Sequence, residues 1–241
     1  MTTTLSRLYR MIFCRGGHGV HSPFVFDLIT KVIEEKRQYY CYEQLNTVRR
    51  QLQQSDDKIT YNNRESTIKT ILNKYCFSER EDKFLFRLAN YFKPETILVS
   101  DSDLGLAPLY VTSYSKDTHC IVIEPEISVV SFARNLTNKY ASSPINIYDC
   151  ISGKLNLSEE NKIDLIIWDY KSSETIEKLL PYTNDDSIIV LSGIRASSKD
   201  KKIWDTICAH NKVSVTIDLL NLGVVFFNPK LHRKTYKCVI T

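Results

Sequence analysis

The stretch Val213-Ser-Val-Thr-Ile-Asp-Leu-Leu-Asn-Leu-Gly-Val-Val-Phe-Phe-Asn228 decides how the chain is read. Two β-rich runs, 213–219 and 224–228, flank a tight turn at Asn221–Gly223. Runs joined by so few residues form a hairpin, so these strands pair antiparallel. The region between Glu95 and this hairpin has a different rhythm, in which β-rich runs alternate with amphipathic stretches. Thr96–Ser100, His119–Ile123, Ile145–Tyr148, Ile163–Trp168 and Ser187–Leu191 read as strands. Leu106–Tyr114, Ser128–Tyr140, Ser173–Leu180 and Ser198–His210 read as the helices between them. Strands separated by helices pair in parallel through right-handed crossovers. A last strand is expected over Tyr236–Ile240. The pattern predicts an α/β fold with a mostly parallel, seven-stranded sheet closed by an antiparallel hairpin.

Ahead of Glu95 the chain reads helical, which divides it into an N-terminal helical region, 1–94, and an α/β domain, 95–241. Ser22-Pro23 is a good helix start, because serine caps and proline suits the first turn. Phe24, Leu28, Ile29, Val32 and Ile33 follow at helical spacing. Further helices are expected over Tyr39–Gln54 and Glu65–Tyr75. Ser78 and Glu81 form a capping-box pattern before Phe84, Leu85, Leu88, Ala89 and Phe92. Pro94 ends that helix, since the residue before proline avoids helical dihedrals.

Composition fits a folded soluble protein: 241 residues, 43% apolar and 25% charged. No apolar run is long enough to span a bilayer. The only apolar stretch near the N-terminus is Met11-Ile12-Phe13, too short for a secretory signal core. The seven cysteines are scattered, with no C-x-x-C pair, so reduced thiols and a cytoplasmic location are expected. Residues 1–94 carry 16 Lys/Arg and 10 Asp/Glu, and residues 95–241 carry 16 and 18. A surplus of six positive charges over the front region reads as a solvated helical surface. With no aromatic-basic motif, nucleic acid is not a favoured partner.

In open α/β sheets ligands bind beyond the carboxyl ends of the strands, so those loops hold the candidate site. The first is Ser100-Asp-Ser-Asp-Leu-Gly-Leu106. A loop passing close under a ligand needs glycine, and only Gly105 is present. Asp101 suits an ammonium group, and the start of the next helix offers free amides. The same loop also reads as a polar turn that caps the helix. Glu124 follows the second strand, 23 residues after Asp101. A carboxylate there can accept both hydroxyls of a ribose, which makes Glu124 the strongest single candidate, with an exposed strand-end acid as the alternative. Asp149, after the third strand, could accept from an adenine amine. Asp169 could be a base, a metal ligand or a substrate-facing acid. The loop after the fifth strand, Leu191-Ser-Gly-Ile-Arg195, has no carboxylate, so no metal site is expected. Earlier in the chain, His18 and His21 stand among glycines just before the capped helix. They suit an acid/base or substrate-binding loop, or a helix entry whose histidines bond backbone groups.

The segment His18-Gly-Val-His-Ser-Pro-Phe-Val-Phe-Asp27 resembles the N-terminal signature of a group of bacterial class I S-adenosylmethionine-dependent methyltransferase-like proteins. Similar matches fall at Lys83–Leu88, Ile97–Tyr110, Val122–Glu124, Ile163–Asp169, Ser187–Ile194 and Val215–Phe227, covering nearly the whole chain. The resemblance implies a Rossmann-like class I methyltransferase fold with a helical N-terminal extension, and S-adenosylmethionine as cofactor. It implies that Asp101, Ser102, Gly105, Glu124 and Asp149 bind the cofactor. Asp169, with His18 and His21 closing over it, would face the reacting centre.

The departures from the family pattern are as informative. E-x-G-x-x-x-G at the first strand's end is represented here by Val99, Asp101 and Gly105. Asp-Gly after the fourth strand reads Asp169-Tyr170, and an Asp-Asp or Asp-Asn pair after the fifth reads Ser192-Gly193. A glycine-rich stretch near 61–66 reads Tyr61-Asn-Asn-Arg-Glu-Ser66. In catechol-type relatives such carboxylates hold a metal, so the resemblance implies metal-independent chemistry here. The cofactor's carboxylate would face Asp101 and Asp103, which is repulsive at short range. Two readings follow. One is a divergent methyltransferase acting on a small-molecule acceptor, with a homodimer allowed and no membrane partner. The other is a catalytically inactive methyltransferase-like binding or scaffold protein. An NAD-dependent oxidoreductase fits Glu124 but lacks G-x-G-x-x-G after the first strand.

Overall fold

The computed structural model describes residues 3–14, 17, 19–101, 103–149, 162–169 and 175–241. Its helices are α1 (Thr3–Phe13), α2 (Pro23–Leu28), α3 (Tyr40–Gln54), α4 (Ile68–Tyr75), α5 (Glu79–Phe92), α6 (Leu106–Thr112), α7 (Ile127–Tyr140), α8 (Thr175–Leu179) and α9 (Ser198–Ala209). Its strands are β1 (Lys58–Tyr61), β2 (Arg64–Thr67), β3 (Thr96–Ser100), β4 (His119–Glu124), β5 (Ile145–Asp149), β6 (Leu165–Asp169), β7 (Ile188–Ser192), β8 (Val215–Asp218), β9 (Gly223–Phe226) and β10 (Lys234–Lys237). Two compact units are present. One is Lys36–Leu155, and the other combines Met1–Glu35 with Asn156–Thr241.

In the Lys36–Leu155 unit, β3, β4 and β5 pair in parallel and in that order. Their central residues Ile97, Leu98, Val99, Cys120, Val122 and Ile147 are buried, as strands covered on both faces must be. Helix α5 begins with the expected capping box: Ser78 Oγ accepts from the Glu81 N–H, and the Glu81 carboxylate accepts from the Ser78 N–H. Lys93 ends the helix in the left-handed region, φ 54°, just before Pro94. Under α5, Phe86 stacks edge-on with Tyr39 and Tyr42, with ring centroids 4.9 and 5.3 Å apart. Residues 58–67 differ from the sequence reading. Where a helix is predicted from Glu65, β1 and β2 form an antiparallel hairpin, and α4 begins only at Ile68. Asn62 and Asn63 make the turn at φ 51° and 59°, a left-handed pair that asparagine tolerates and that suits a two-residue hairpin loop.

In the other unit the strand order is β10-β8-β9-β7-β6. β6 and β7 are parallel, β9 is antiparallel to both its neighbours, and β10 adds to β8 in parallel. The predicted terminal hairpin is present, and the two units together supply eight parallel-sheet and hairpin strands rather than seven. Its turn spans residues 219–222, and Leu220, not glycine, takes the left-handed conformation at φ 78°. Gly223 lies within β9, and its lack of a side chain serves packing. A Cβ there would come within 2.4 Å of the buried Trp204 ring on α9.

Asp218, the last residue of β8, is 1% exposed. Its carboxylate accepts from Arg10 Nη1 at 2.8 Å and from Arg195 Nε at 3.0 Å. Arg10 also donates to the Asp218 carbonyl at 2.6 Å and the Cys238 carbonyl at 3.1 Å, which holds α1 to the edge of β8. Burial pushes the Asp218 carboxyl up, but the bonds from Arg195 and Arg10 together hold it below its ordinary range. Helix α1, which the sequence reading leaves unassigned, is turned inside out. Leu5, Leu8, Tyr9 and Ile12 form a stripe that is more than half exposed, while Arg10 is buried. No helix among the described residues is long and apolar enough to cross a membrane.

Two stability effects follow. Asp218→Asn leaves the buried Arg10 without its counter-charge and should cost about 3–5 kcal/mol in urea unfolding at neutral pH. The carboxylate's contribution is complete above the ordinary Asp range. It is lost as pH falls through the lowered folded value, so the variant's deficit should shrink in acid. Gly223→Ala forces a methyl into Trp204 and should cost about 1–3 kcal/mol, with near-ultraviolet circular dichroism reporting the displaced indole.

Candidate functional site

The carboxyl ends of β3, β4 and β5 set three acids in a row. Asp101 comes directly after β3, and its N–H donates to the Ile123 carbonyl at 2.8 Å, extending the ladder by one rung. Glu124 ends β4 and is the register partner of Asp149, which ends β5. Glu124 is 1% exposed and its Oε1 accepts from the Glu126 N–H at 2.9 Å, so it is not an exposed strand-end acid. Asp149 is exposed. The structure therefore brings Asp101, Glu124 and Asp149 to one edge. Ser102, between the first two of the loop's aspartates, lies outside the described residues.

The loop after β3 keeps a glycine-type backbone almost without glycine. Asp101, Asp103, Leu104 and Gly105 have φ of 70°, 55°, 59° and 95°. A left-handed residue other than glycine costs about 1–2 kcal/mol, so other contacts must hold this shape. Gly105 fits its own position for two reasons: the positive φ, and the backbone of α7, since a Cβ would meet the Ala133 carbonyl at 3.3 Å. Helix α7 and the loop thus approach each other closely at this glycine. Asp101 is partly turned onto its own loop, with Oδ1 accepting from the Asp103 N–H at 3.2 Å.

Asp103 does not face the edge where a ligand carboxylate would lie. It is 5% exposed, and Oδ1 accepts from the Phe77 N–H at 2.8 Å. Its Oδ2 is buried without a hydrogen-bond partner. Nearby, Arg49 on α3 donates to the buried Asp82 of α5 and, at 2.9 Å, to the Phe77 carbonyl. One guanidinium thus serves two buried carboxyls. Burial raises Asp82 to about 7 against the opposing charge of Arg49. Burial, then the Asp82 charge, pushes Asp103 well above the carboxylate range, more than Cys76 and Arg49 can offset. Burial thus favours the neutral form of Asp103 more than it does for a free carboxyl.

Tyr61, at the tip of the unforeseen hairpin, completes the site. The hairpin docks beside Glu124: the Asn62 N–H donates to Glu126 Oε1 at 3.1 Å, and Ser128 Oγ donates to the Thr60 carbonyl. Burial pushes the Tyr61 phenol strongly up, and Asp101, Cys76, Glu124 and Glu126 act in the same direction. Its ring packs on Tyr75 at 4.9 Å. The sequence signals for it are an aromatic residue beside Asn-Asn and its place in the stretch where the family resemblance has glycines.

In the other unit, Asp169 ends β6 and its Oδ1 accepts from Ser192 Oγ, its register partner on β7, at 2.8 Å. His21 is exposed and precedes Ser22, whose hydroxyl accepts from the Val25 N–H and caps α2. Gly17 is required by Phe26, whose ring a Cβ would meet at 2.6 Å, so part of the glycine-rich entry is structural. His18 lies outside the described residues. Among the described residues, no three of His, Cys, Asp or Glu cluster as metal ligands would.

No family model and no curated protein matches the sequence. Solved structures do. The cofactor-bound Rv0187 from MTB is 12% identical with a TM-score of 0.60, over 77% of this chain and 90% of its own. The O-methyltransferase from Bacillus cereus in complex with SAH is 11% identical with a TM-score of 0.56, over 93% and 100%. TomG from Streptomyces achromogenes, an O-methyltransferase in complex with SAM, is 12% identical with a TM-score of 0.55, over 85% and 94%. The chain has the Rossmann-like fold of the class I methyltransferases.

The buried acid pair gives a pH signature. Asp103 binds a proton in the folded state that the unfolded chain releases near the ordinary Asp value. Stability should therefore decline as pH rises from that value toward the raised folded one. Asp103→Asn, which mimics the neutral acid, should abolish that part of the slope in urea titrations from pH 4 to pH 8 and leave neutral-pH stability equal or higher.

Proposed function

We propose that the chain is an S-adenosylmethionine-dependent methyltransferase with an altered cofactor loop, acting on a small-molecule acceptor without a metal. The observation that carries this is Glu124. It is a carboxylate held at the end of the second sheet strand, nearly out of water, with one oxygen fixed by a backbone amide. A carboxylate at the carboxyl end of this strand stands where open α/β folds receive the hydroxyls of a ribose. The residues present fit the cofactor's nucleoside end. Glu124 would accept from the ribose hydroxyls, and Asp149, one strand over, from the adenine amine. At the amino-acid end Asp101 would accept from the ammonium.

When bound, S-adenosylmethionine supplies an electrophilic methyl group on a sulfonium centre. The chain's own part is to align the acceptor and manage its proton. Asp169, oriented by the Ser192 hydroxyl, is assigned to the acceptor and would take that proton. His21 and His18 are assigned to the loop that closes over the acceptor.

A second reading, ligand binding without transfer, is favoured by Asp101, which puts a carboxylate where family members resemble glycine. Calorimetric titration with S-adenosylmethionine and S-adenosylhomocysteine separates the two, followed by an acceptor screen. Binding of both ligands is expected, weakened about tenfold or more in Glu124→Gln, as loss of a charge-assisted bond implies. Asp101→Asn, which removes the charge opposite the ammonium, should weaken binding of both ligands. Binding without turnover of any acceptor would favour the second reading, and no binding at millimolar ligand would refute both.

A further inference from the structure

A cavity of about 520 Å³ opens in the Met1–Glu35/Asn156–Thr241 unit, at the end of its strands opposite Asp169 and Ser192. It lies where β7, β8 and β10 begin and where the antiparallel β9 ends. That volume is in the range of small-molecule sites. Its lining is mixed: Leu180, Val213, Phe227 and Leu231 supply an apolar patch among polar and charged residues. Two cations, Lys212 and Arg233, line it with one acid, Asp185, leaving a surplus of one positive charge.

The donors in this cavity are incompletely used. Arg233 spends Nη2 on the carbonyls of Cys208 and His210, at 3.1 and 2.9 Å, where α9 ends. Those bonds fix the guanidinium in place while its other N–H groups have no acceptor among the described residues. The Lys212 ammonium likewise has none. The Asn184 carbonyl oxygen accepts from the Asp186 N–H and from Ser187 Oγ, which holds the side chain and leaves its amide N–H groups as donors. Oriented donors beside an apolar patch suit a ligand with a negative head and a hydrocarbon body.

We infer that this cavity binds a small amphipathic carboxylate, its head on Lys212 and Arg233 and its body against Val213, Phe227 and Leu231. The site is independent of the proposed methyl-transfer chemistry, since it stands at the other end of the strands and shares no residue with it.

The probe is octanoate, titrated into the ¹⁵N-labelled full chain and followed by amide chemical shifts, with octanol as the uncharged control. Octanoate should saturate shifts confined to residues 211–214 and 227–233, and octanol should bind at least tenfold more weakly. Lys212→Ala, which removes an exposed side chain without structural bonds, should weaken octanoate severalfold and leave octanol unchanged. Leu231→Trp, which fills the cavity, should abolish both. Equal affinity for octanol, shifts spread over the exposed stripe of α1 instead, or no saturable shift at 10 mM octanoate would overturn the assignment.

Discussion

A carboxyl group shut away from water must find a cation or keep its proton, and that rule governs the loop on which the candidate site is built. Asp103 sits beneath that loop with one oxygen on the Phe77 amide and the other buried. Arg49 could have balanced it, but Arg49 is committed to Asp82. Burial disfavours its charged form, and the Phe77 amide holds the carboxyl in place beneath the loop. Asp101 Oδ1 accepts from the Asp103 N–H, so the strand-end acid and the buried acid beneath it are linked through one stretch of backbone.

The other unit solves the opposite case. Asp218 is as buried as Asp103 but meets two guanidiniums rather than a share of one. Burial acts in the same direction on both carboxyls, and the number of cations within reach decides the outcome. Asp218 stays charged and ties α1, β8 and the segment containing Arg195 together. The same residue type is thus held toward its charged form in one unit and pushed toward its neutral form in the other.

The sequence exposed the alternation of strands and helices from Glu95 onward because both periodicities come from burial, which composition records directly. It placed the terminal hairpin for the same reason. The turn was misread there: Gly223 looks like a turn glycine, yet its smallness answers to Trp204, nineteen positions earlier in the chain. The β1–β2 hairpin was hidden because its strands are short and polar, and only Asn62-Asn63 betrays it. Glu124 and Asp149 were legible as strand-end acids, since a strand's end is a local property. The inward turn of Asp103 was not legible, because it depends on Phe77, Cys76, Arg49 and Asp82, which the fold brings from three other segments.

The loop from Asp101 to Gly105 also says something about how such a chain drifts. Its backbone follows a path that glycine would ordinarily be needed to permit, while aspartate and leucine occupy it. Once the Ile123 carbonyl, the Phe77 amide and the backbone of α7 grip the path from outside, the identity of the residues along it is released from conformational duty. The shape of the loop is then held in its dihedral angles rather than in its residue types. Letter-by-letter comparison loses such a signature, and superposition of backbones retains it.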